Sequence, residues 1–342
     1  MGARVSGPGE LGGGELTGAV EDALWAPSVH NSQPWRWLLS AEGLQLHADA
    51  DRHLAATDPD RRDLVLSCGA ALHHLRVALA ARGLGGQVQR LPDPENRMHL
   101  ATVVVRPGTD PSDVTEDATL FPAIRRRRTD RRQMSHRPVP QDRIQALVDR
   151  AAPAGATLVW VTDPGIRRHL VEAIGDAHHY QDAEPGYAAE LRMWTNRLPD
   201  GHDGVPPANV PPGTDALAGT PMRRFGRAEL AQPSRRPGHG PADDAAELLV
   251  VTTDEDDTID RLRAGEATSA VLLAATDMGL ATTPLSQAIE VDVVRQRIQR
   301  DVLHQLTYPQ LVVRVGWPAF GAGPLPATPR RALRSVLLPA RP

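Results

Sequence analysis

Ten residues near the N-terminal end of the chain combine polar and aromatic groups that could bind a planar ligand. The segment Ala26–Trp35 reads APSVHNSQPW and carries a hydroxyl at Ser28 and side-chain amides at Asn31 and Gln33. Its two prolines fix the backbone and remove donors, so we expect a rigid loop rather than a helix. Hydrogen-bonding groups that are ordered in advance favour a planar ligand with several acceptors. A buried helix-to-strand turn without a ligand is the alternative interpretation.

A dense run of arginines lies at residues 124–132, where the sequence is IRRRRTDRR. The run surrounds the hydroxyl of Thr129, and a further pair, Arg330 and Arg331, follows the last predicted strand. Guanidinium groups bind phosphate oxygens in bidentate geometry, so both segments are candidate phosphate ligands. A solvated charged face or an RNA-binding patch would have the same composition. Residues 122–140 contain no Phe, Tyr or Trp, which disfavours RNA.

The segment Gly279–Gln287, GLATTPLSQ, ends a long predicted helix. A glycine at this place is typical of a helix C-cap followed by a turn. From these residues alone, an ordinary cap and a ligand-binding turn are both consistent with the sequence.

Together these segments resemble, in the same order, four motifs of the FMN-dependent nitroreductase family. Pro27–Trp35 is similar to the family's Pro-Ser-x-x-Asn-x-Gln-Pro-Trp loop, which lies against FMN, and Arg127–Arg131 is similar to the Arg-Arg-Ser-x-Arg element that grips the phosphate and ribityl chain. Gly279–Gln287 resembles the Gly-Leu-Gly-x-x-Pro turn, whose amides face the flavin near N5, and Arg330–Arg331 resembles the basic pair that completes the phosphate site. The resemblance implies these FMN contacts: Pro27, Ser28, Asn31, Gln33, Arg127, Arg128, Thr129, Arg131, Pro284, Leu285, Ser286, Gln287, Arg330 and Arg331.

Hydrophobic periodicity predicts the same order of elements in two halves of the chain. The first half is predicted to hold a helix at 16–25, strands at 35–39 and 44–48, a helix at 67–83 and a strand at 101–106. The second is predicted to hold a helix at 141–152, strands at 157–162 and 247–252, a helix at 267–279 and a strand at 310–316. Because ALHHLRVALAARGLGG is similar to SAVLLAATDMGLAT, and ATVVVRPG to QLVVRVGWP, we infer an internal duplication.

The family resemblance then implies an α+β, nitroreductase-like fold with two tandem α+β repeats that form a pseudo-twofold dimer in one chain. We expect repeats at 16–115 and 120–340, after a disordered segment at 1–15. Nitroreductases are usually homodimers with two flavin sites, but Ala151–Ala156 lacks the Asn-x-Gln element and nothing before Glu21 supplies Arg-Arg-Ser. The chain therefore resembles the Acg-type branch, a fused dimer that has lost one site, and is expected to act as a monomer.

An insertion at 184–244 interrupts the second repeat with clusters of proline and glycine. Such a long segment in a compact domain is typical of a lid, a binding loop or disorder. It contains Trp194, Met222 and Phe225, which disordered segments seldom carry. We therefore expect an ordered lid with one predicted helix at 188–196.

Composition excludes several functional classes. All 38 basic residues are arginine, so Walker A ATPases and Schiff-base enzymes, which need a lysine, are ruled out. The net charge of −4 disfavours nucleic acid and anionic membranes, and no apolar run is long enough to span a bilayer. The single cysteine, Cys68, precludes an internal disulfide and favours the cytoplasm.

These observations predict an FMN-dependent NAD(P)H oxidoreductase that passes a hydride through flavin N5 to a small-molecule acceptor. The flavin would supply the chemistry and the protein the positioning. We identify no catalytic acid or base and no metal site. The alternative is an FMN storage or sequestration protein, in which the lid covers the ring and prevents turnover.

Overall fold

The computed structural model describes residues 13–40, 43–108, 117–197, 200–212, 216–217, 220–232 and 244–339. The α-helices in this part are α1 (Gly13–Ala23), α2 (Arg62–Ala80), α3 (Phe121–Arg126), α4 (Gln141–Asp149), α5 (Pro164–Ala183), α6 (Tyr187–Thr195), α7 (Thr258–Asp277), α8 (Gln287–Glu290), α9 (Asp292–Asp301) and α10 (Leu333–Val336). The strands are β1 (Trp35–Ser40), β2 (Gly43–Ala48), β3 (Leu84–Arg90), β4 (His99–Pro107), β5 (Thr157–Trp160), β6 (Ala216–Leu217), β7 (Thr220–Pro221), β8 (Glu247–Thr253), β9 (Ala281–Leu285) and β10 (Tyr308–Gly316).

Two antiparallel sheets of four strands have the same topology. Their orders are β1-β2-β4-β3 and β5-β8-β10-β9, so the fourth strand of each sheet lies between the second and the third. In each repeat a long helix, α2 or α7, connects the second strand to the third. The predicted α+β fold with two tandem repeats is therefore confirmed.

Helices α2 and α7 pack directly against each other at a pair of glycines. Gly69 and Gly265 occupy the same position in their helices, counted from the first residue of each. A Cβ atom on Gly69 would lie 2.1 Å from the Leu262 carbonyl oxygen, and one on Gly265 would lie 2.0 Å from that of Leu66. Only glycine allows the backbones to approach this closely.

The second sheet is buried on both faces, which explains its nearly continuous apolar strands. Leu249 and Val251 of β8 pack in one cluster with α4 and α7, whereas Leu248 and Val250 pack in another with α5 and α9. This sheet therefore lies between two helical layers.

Several sequence-based element boundaries are wrong. α2 and α7 begin earlier than predicted, at Arg62 and Thr258, because their first turns are polar on the side that contacts loops. The segment at 279–287, interpreted as a turn, forms the edge strand β9 after Gly279, whose φ of +78° ends α7. Of the segment predicted to be disordered, residues 1–12 lie outside the described residues, while residues 13–15 begin α1.

Several elements were not predicted, and two of them, β3 and α5, show why. Strand β3 reads LGGQVQR, and its polar, glycine-rich sequence suits a half-exposed edge strand. Helix α5 begins at Pro164, and the Asp163 side chain accepts hydrogen bonds from the backbone N–H groups of Gly165 and Ile166 at 2.8 and 2.9 Å. This Asp-Pro start is a capping signal that sequence reasoning could have used.

The described part of the insertion is folded against the first repeat. Glu190 of α6 accepts hydrogen bonds from the backbone N–H groups of Ala56 and Thr57, and Asp203 pairs with Arg52. Tyr187 and Trp194 are buried. An ordered segment is thus observed at 184–197, 200–212, 216–217 and 220–232, while residues 233–243 of the predicted lid lie outside the described residues.

No helix in the described ranges is both long and apolar enough to span a bilayer.

Candidate functional site

Two adjoining cavities lie between the repeats and share part of their walls. One, of about 880 Å³, is mainly apolar and is called the apolar cavity; the other, of about 520 Å³, is called the polar cavity. Pro27, Ser28, Thr129 and Arg131 line both. The apolar cavity also contains Pro284, Leu285, Ser286 and Gln287 of the predicted contacts, and the polar cavity contains Asn31, Arg127, Arg128 and Arg330.

The loop at 27–35, which contributes lining residues to both cavities, has an unusual backbone. His30, Asn31 and Gln33 have φ angles of 47°, 54° and 52°, a region that residues other than glycine seldom adopt. Hydrogen bonds from the Gln33 N–H to the Ser28 Oγ at 2.9 Å, and from the Val29 N–H to the Ser67 Oγ at 3.2 Å, hold it. Backbone strain of this kind is often found at ligand sites.

Asn31 supports the loop more than its sequence setting suggested. Its Nδ2 donates to the carbonyl oxygens of Gly204 and Pro329, both at 3.0 Å. Its Oδ1 accepts from Nη1 of Arg330 at 3.1 Å. Asn31 therefore joins the first-repeat loop, the insertion and the C-terminal segment, besides lining the polar cavity.

Gln33 and Arg331 are not among the described residues that line the two cavities, so their expected contact with FMN stays a prediction. The backbone N–H of Arg331 donates to Oε1 of Gln33 at 2.8 Å, and its guanidinium pairs with Asp49 at 3.2 Å. Nε2 of Gln33 donates to the His202 carbonyl oxygen at 2.9 Å. The neighbouring arginines therefore have different partners, since Arg330 donates to Asn31 and Arg331 pairs with Asp49.

The polar cavity concentrates positive charge. Four arginines line it, Arg127, Arg128, Arg131 and Arg330, and among its described lining residues there is no Asp or Glu. Burial, reinforced by neighbouring arginines, lowers the pKa of Arg330 to about 9 and that of Arg127 to about 10. Nε and Nη1 of Arg127 and Nε of Arg330 are buried without a hydrogen-bond partner. Buried donors and cations in this state are the expected counterpart of a bound anion.

Strand β9 positions the arginine segment. Thr129 forms a parallel bridge with Thr282, and the Asp130 N–H donates to the Thr282 carbonyl oxygen at 2.9 Å. The Thr283 hydroxyl donates to the Asp130 carbonyl oxygen at 2.6 Å. The second and third predicted motifs are therefore adjacent in space, although about 150 residues separate them in the chain.

The insertion forms one wall of each cavity. Met222 and Phe225 line the apolar cavity, and Val205 and Asn209 line the polar one. The guanidinium of Arg131 lies 4.8 Å from the Phe225 ring centroid, a cation–π distance. Sequence reasoning expected the insertion to cover the site, but not to contribute to the polar cavity.

His30 is a polar group of the apolar cavity that sequence reasoning missed. Burial and the charge of Arg223 lower its pKa to about 3, so the ring is neutral near pH 7. Both of its ring nitrogens are buried without a hydrogen-bond partner. One nitrogen of a neutral imidazole donates and the other accepts, so His30 could either donate a hydrogen bond to a ligand or accept one from it.

A buried carboxyl pair borders the same cavity and was also missed. Asp63 lines the cavity and hydrogen-bonds to Glu290, which accepts from Nη2 of Arg223 at 2.5 Å and from the Ser286 hydroxyl at 2.7 Å. Burial and the charge of Glu290 raise the pKa of Asp63 well above its usual range. Burial alone would raise the pKa of Glu290 too, but Arg223 holds it below the ordinary value. The pKa values of the two carboxyls are thus shifted in opposite directions, so that Asp63 retains a proton more readily than Glu290 does.

Charged residues stand at the positions that correspond, in the other repeat, to two lining residues of the apolar cavity. Ala70 and Leu272 line the cavity, and the positions that correspond to them, counted from Gly69 and Gly265, are Glu266 and Arg76. Arg76 lies 3.5 Å from the fully buried Glu266 carboxylate, and Arg90 pairs with it at 2.7 and 2.9 Å. Two small or apolar side chains on one side of the molecule are therefore replaced by a salt bridge on the other.

Comparison with known proteins assigns the family. The chain is 45% identical over 317 residues to "Putative NAD(P)H nitroreductase Rv3131" of Mycobacterium tuberculosis, covering 92% of this chain and 88% of that protein. It is 35% identical over 322 residues to "Putative NAD(P)H nitroreductase acg" of the same species, covering 94% of each. The fold with its two cavities and these relatives define an α+β protein of the nitroreductase type. The chain belongs to the nitroreductase family.

The other comparisons add little. No family model matches the chain. Among solved structures, the FMN-dependent nitroreductase NfnB from Mycobacterium smegmatis in complex with NADPH has a TM-score of 0.40 and 14% identity, covering 65% of this chain and 100% of that one. This score is too low to establish a shared fold, so the assignment rests on the two sequence relatives.

Proposed function

We propose that the chain binds FMN across the two cavities, with the phosphate in the polar cavity and the flavin ring in the apolar one. The observation that supports this most strongly is the group of four arginines without a carboxylate among the described lining residues, next to a mainly apolar cavity. FMN has the matching shape and charge, since it joins one terminal phosphate to one planar ring.

Different residues of the chain would bind different parts of FMN. Arg127, Arg128 and Arg330 would bind the phosphate, and their unpartnered donors would then be satisfied. Ser28 and Thr129, in the shared wall, would lie along the ribityl chain. Residues 284–287 and His30 would border the ring. When bound, FMN would accept a hydride from NAD(P)H and pass it to a small-molecule acceptor, as the names of the relatives suggest.

Replacing single arginines tests this assignment. Arg127→Ala and Arg330→Ala should each weaken FMN binding by about 1.5–3 kcal/mol, the range for a hydrogen bond to a charged group. Riboflavin, which lacks the phosphate, should bind all variants alike. Arg126→Ala is the matched control, because Arg126 lies next in the chain but pairs with Asp277 at the surface. Fluorescence titration measures both ligands, and an equal loss for FMN and riboflavin would contradict phosphate binding.

The proposal also includes the number of FMN molecules per chain, the oligomeric state and the location. One FMN is expected for each chain, because the positions that correspond to Ala70 and Leu272 carry Glu266 and Arg76, which form a salt bridge. Since both repeats contribute residues to the two cavities, the chain is expected to function as a monomer that is an internal pseudo-dimer. The cytoplasm remains the predicted location.

A second candidate function is storage or sequestration of FMN. It is favoured by Met222 and Phe225, which belong to the insertion and line the cavity where the ring would lie. If these side chains cover the ring, neither nicotinamide nor acceptor can reach it. Stopped-flow mixing of the FMN-loaded protein with NADPH separates the two: rapid bleaching of the flavin indicates an oxidoreductase, and a flavin that stays oxidised for many minutes indicates storage.

A further inference from the structure

The carboxyl group of Asp63 is placed where the proposed reaction would consume a proton. It belongs to the first turn of α2, is 3% exposed and lines the apolar cavity. Its Oδ2 atom is buried and has no hydrogen-bond partner among the described residues. In a residue that lines a cavity, a buried polar atom of this kind can meet a ligand atom.

The groups around Asp63 keep its proton in place. Glu290, on α8, accepts hydrogen bonds from Arg223, Ser286 and Gln181 and stays ionised. Asp58, in the turn before α2, contributes further negative charge beside Asp63, whereas Arg223, from the insertion, opposes it. When two neighbouring carboxyls are held in opposite protonation states, the protonated one is suited to act as an acid.

We propose that Asp63 donates the proton that a two-electron acceptor, such as a quinone, must gain when it is reduced in the apolar cavity. This inference rests on the proposed function. A quinone that receives a hydride equivalent gains two electrons and one proton, and its second oxygen becomes negatively charged. The O–H group of Asp63, which is hydrogen-bonded to Glu290 before the acceptor binds, turns to that oxygen; its O–H bond breaks and the proton binds the oxygen to complete the hydroquinone. Asp63 is left as a carboxylate that solvent reprotonates after the product leaves.

Replacing Asp63 while varying the acceptor tests the proposal. In FMN-loaded protein first reduced with NADPH, Asp63→Asn should slow reoxidation by para-benzoquinone by about 100-fold, a typical contribution of a general acid. Reoxidation by ferricyanide, which takes electrons without protons, should not change. An equal rate with the quinone in the variant and the parent would overturn the proposal, and so would an equal slowing with both acceptors.

Asp260→Asn is the matched control. Asp260 is also a buried aspartate in the first turn of a long helix, α7, but it does not line the apolar cavity. This variant should reoxidise with both acceptors as the parent does. A slowing specific to the quinone in this variant would show that the loss of any buried carboxyl has the same effect, which contradicts a role particular to Asp63.

Two measurements on the unaltered protein remain decisive if Asp63→Asn fails to fold. The rate of reoxidation by the quinone should fall as pH rises through the pKa of Asp63, while the rate of reoxidation by ferricyanide stays constant. The same pH dependence with both acceptors would overturn the proposal. Burial raises the pKa of Asp58 to about 7, so the infrared spectrum is recorded well above pH 7, before FMN is added. It should still show the carbonyl stretch of a protonated carboxyl, and the absence of this band would overturn the proposal. Failure to take up FMN, by contrast, refutes the proposed function itself.

Discussion

Arg127 and Arg330 bring positive charge into a buried pocket whose described lining offers them no carboxylate. A buried cation without an anion costs free energy, which is visible in their lowered pKa values of about 10 and about 9. A ligand phosphate would remove this cost. The donors that make the burial of these arginines costly are therefore the same donors that the proposed phosphate would bind.

Asn31 has a structural role that can be measured without a ligand. Asn31→Ala removes hydrogen bonds to Gly204, Pro329 and Arg330 and leaves their partners buried. We expect the ligand-free protein to lose about 1–3 kcal/mol in its free energy of unfolding, the usual cost of unsatisfied buried groups. Urea denaturation measures it. Gln145→Ala, which removes an exposed hydrogen bond to Asp149, is the control and should change little; an equally small effect at Asn31 would contradict its bridging role.

At the scale of single residues, the sequence is informative where a motif is local. Residues 127–129, Arg131 and residues 284–287 line the cavities, and their contact with FMN stays a prediction. Arg331 could not be separated from Arg330, because only the fold determines that one donates to Asn31 and the other pairs with Asp49. Asp63 and Glu290 were invisible for another reason: each is an ordinary carboxyl in its own segment, and only the fold places them together.

At the scale of elements, the contact between α2 and α7 determines how the two repeats meet. The width of the apolar cavity depends on this contact, because both helices contribute lining residues: Ser67 and Ala70 come from α2, and Thr268 and Leu272 come from α7. The close approach at Gly69 and Gly265 has no tolerance for a side chain. Any substitution there must separate the helices and alter the width of the cavity.

Gly69→Ala should therefore destabilise the protein. The added methyl group would overlap the Leu262 carbonyl oxygen, and overpacking of this kind typically costs about 1–3 kcal/mol. Thermal unfolding measures the change. In the control Gly14→Ala, the new Cβ of an exposed helical position meets no atom within 4 Å, so the stability should stay equal or rise by up to about 1 kcal/mol. A Gly69 variant as stable as this control would contradict the close helix contact.

The long elements could be predicted and the irregular ones could not. α2 and α7 repeat a recognisable apolar pattern, whereas β3 is polar and half-exposed and therefore resembles a loop. β9 was interpreted as a turn because Gly279 and Pro284 are turn-forming residues. An edge strand tolerates a proline, since one side of its backbone has no neighbouring strand.

At the scale of the whole molecule, two repeats of one topology differ in the residues at corresponding positions. Sequence motifs predicted such an asymmetry from what the second repeat lacks, at 151–156. In the structure, Glu266 and Arg76, which form a salt bridge, correspond to Ala70 and Leu272 of the apolar cavity. The sequence alone did not give this correspondence, because the positions of α2 and α7 are matched by counting from Gly69 and Gly265, where the two helices meet.

The most direct test of the central claim is the number of FMN molecules that the purified, ligand-free protein takes up. Titration with FMN, followed by absorbance and by the FMN retained after gel filtration, should reach saturation at one equivalent per chain, with riboflavin bound more weakly. One equivalent is expected because the arginines proposed to bind the phosphate, Arg127, Arg128 and Arg330, line the same cavity. No uptake would refute FMN binding, and two equivalents per chain would contradict a single site.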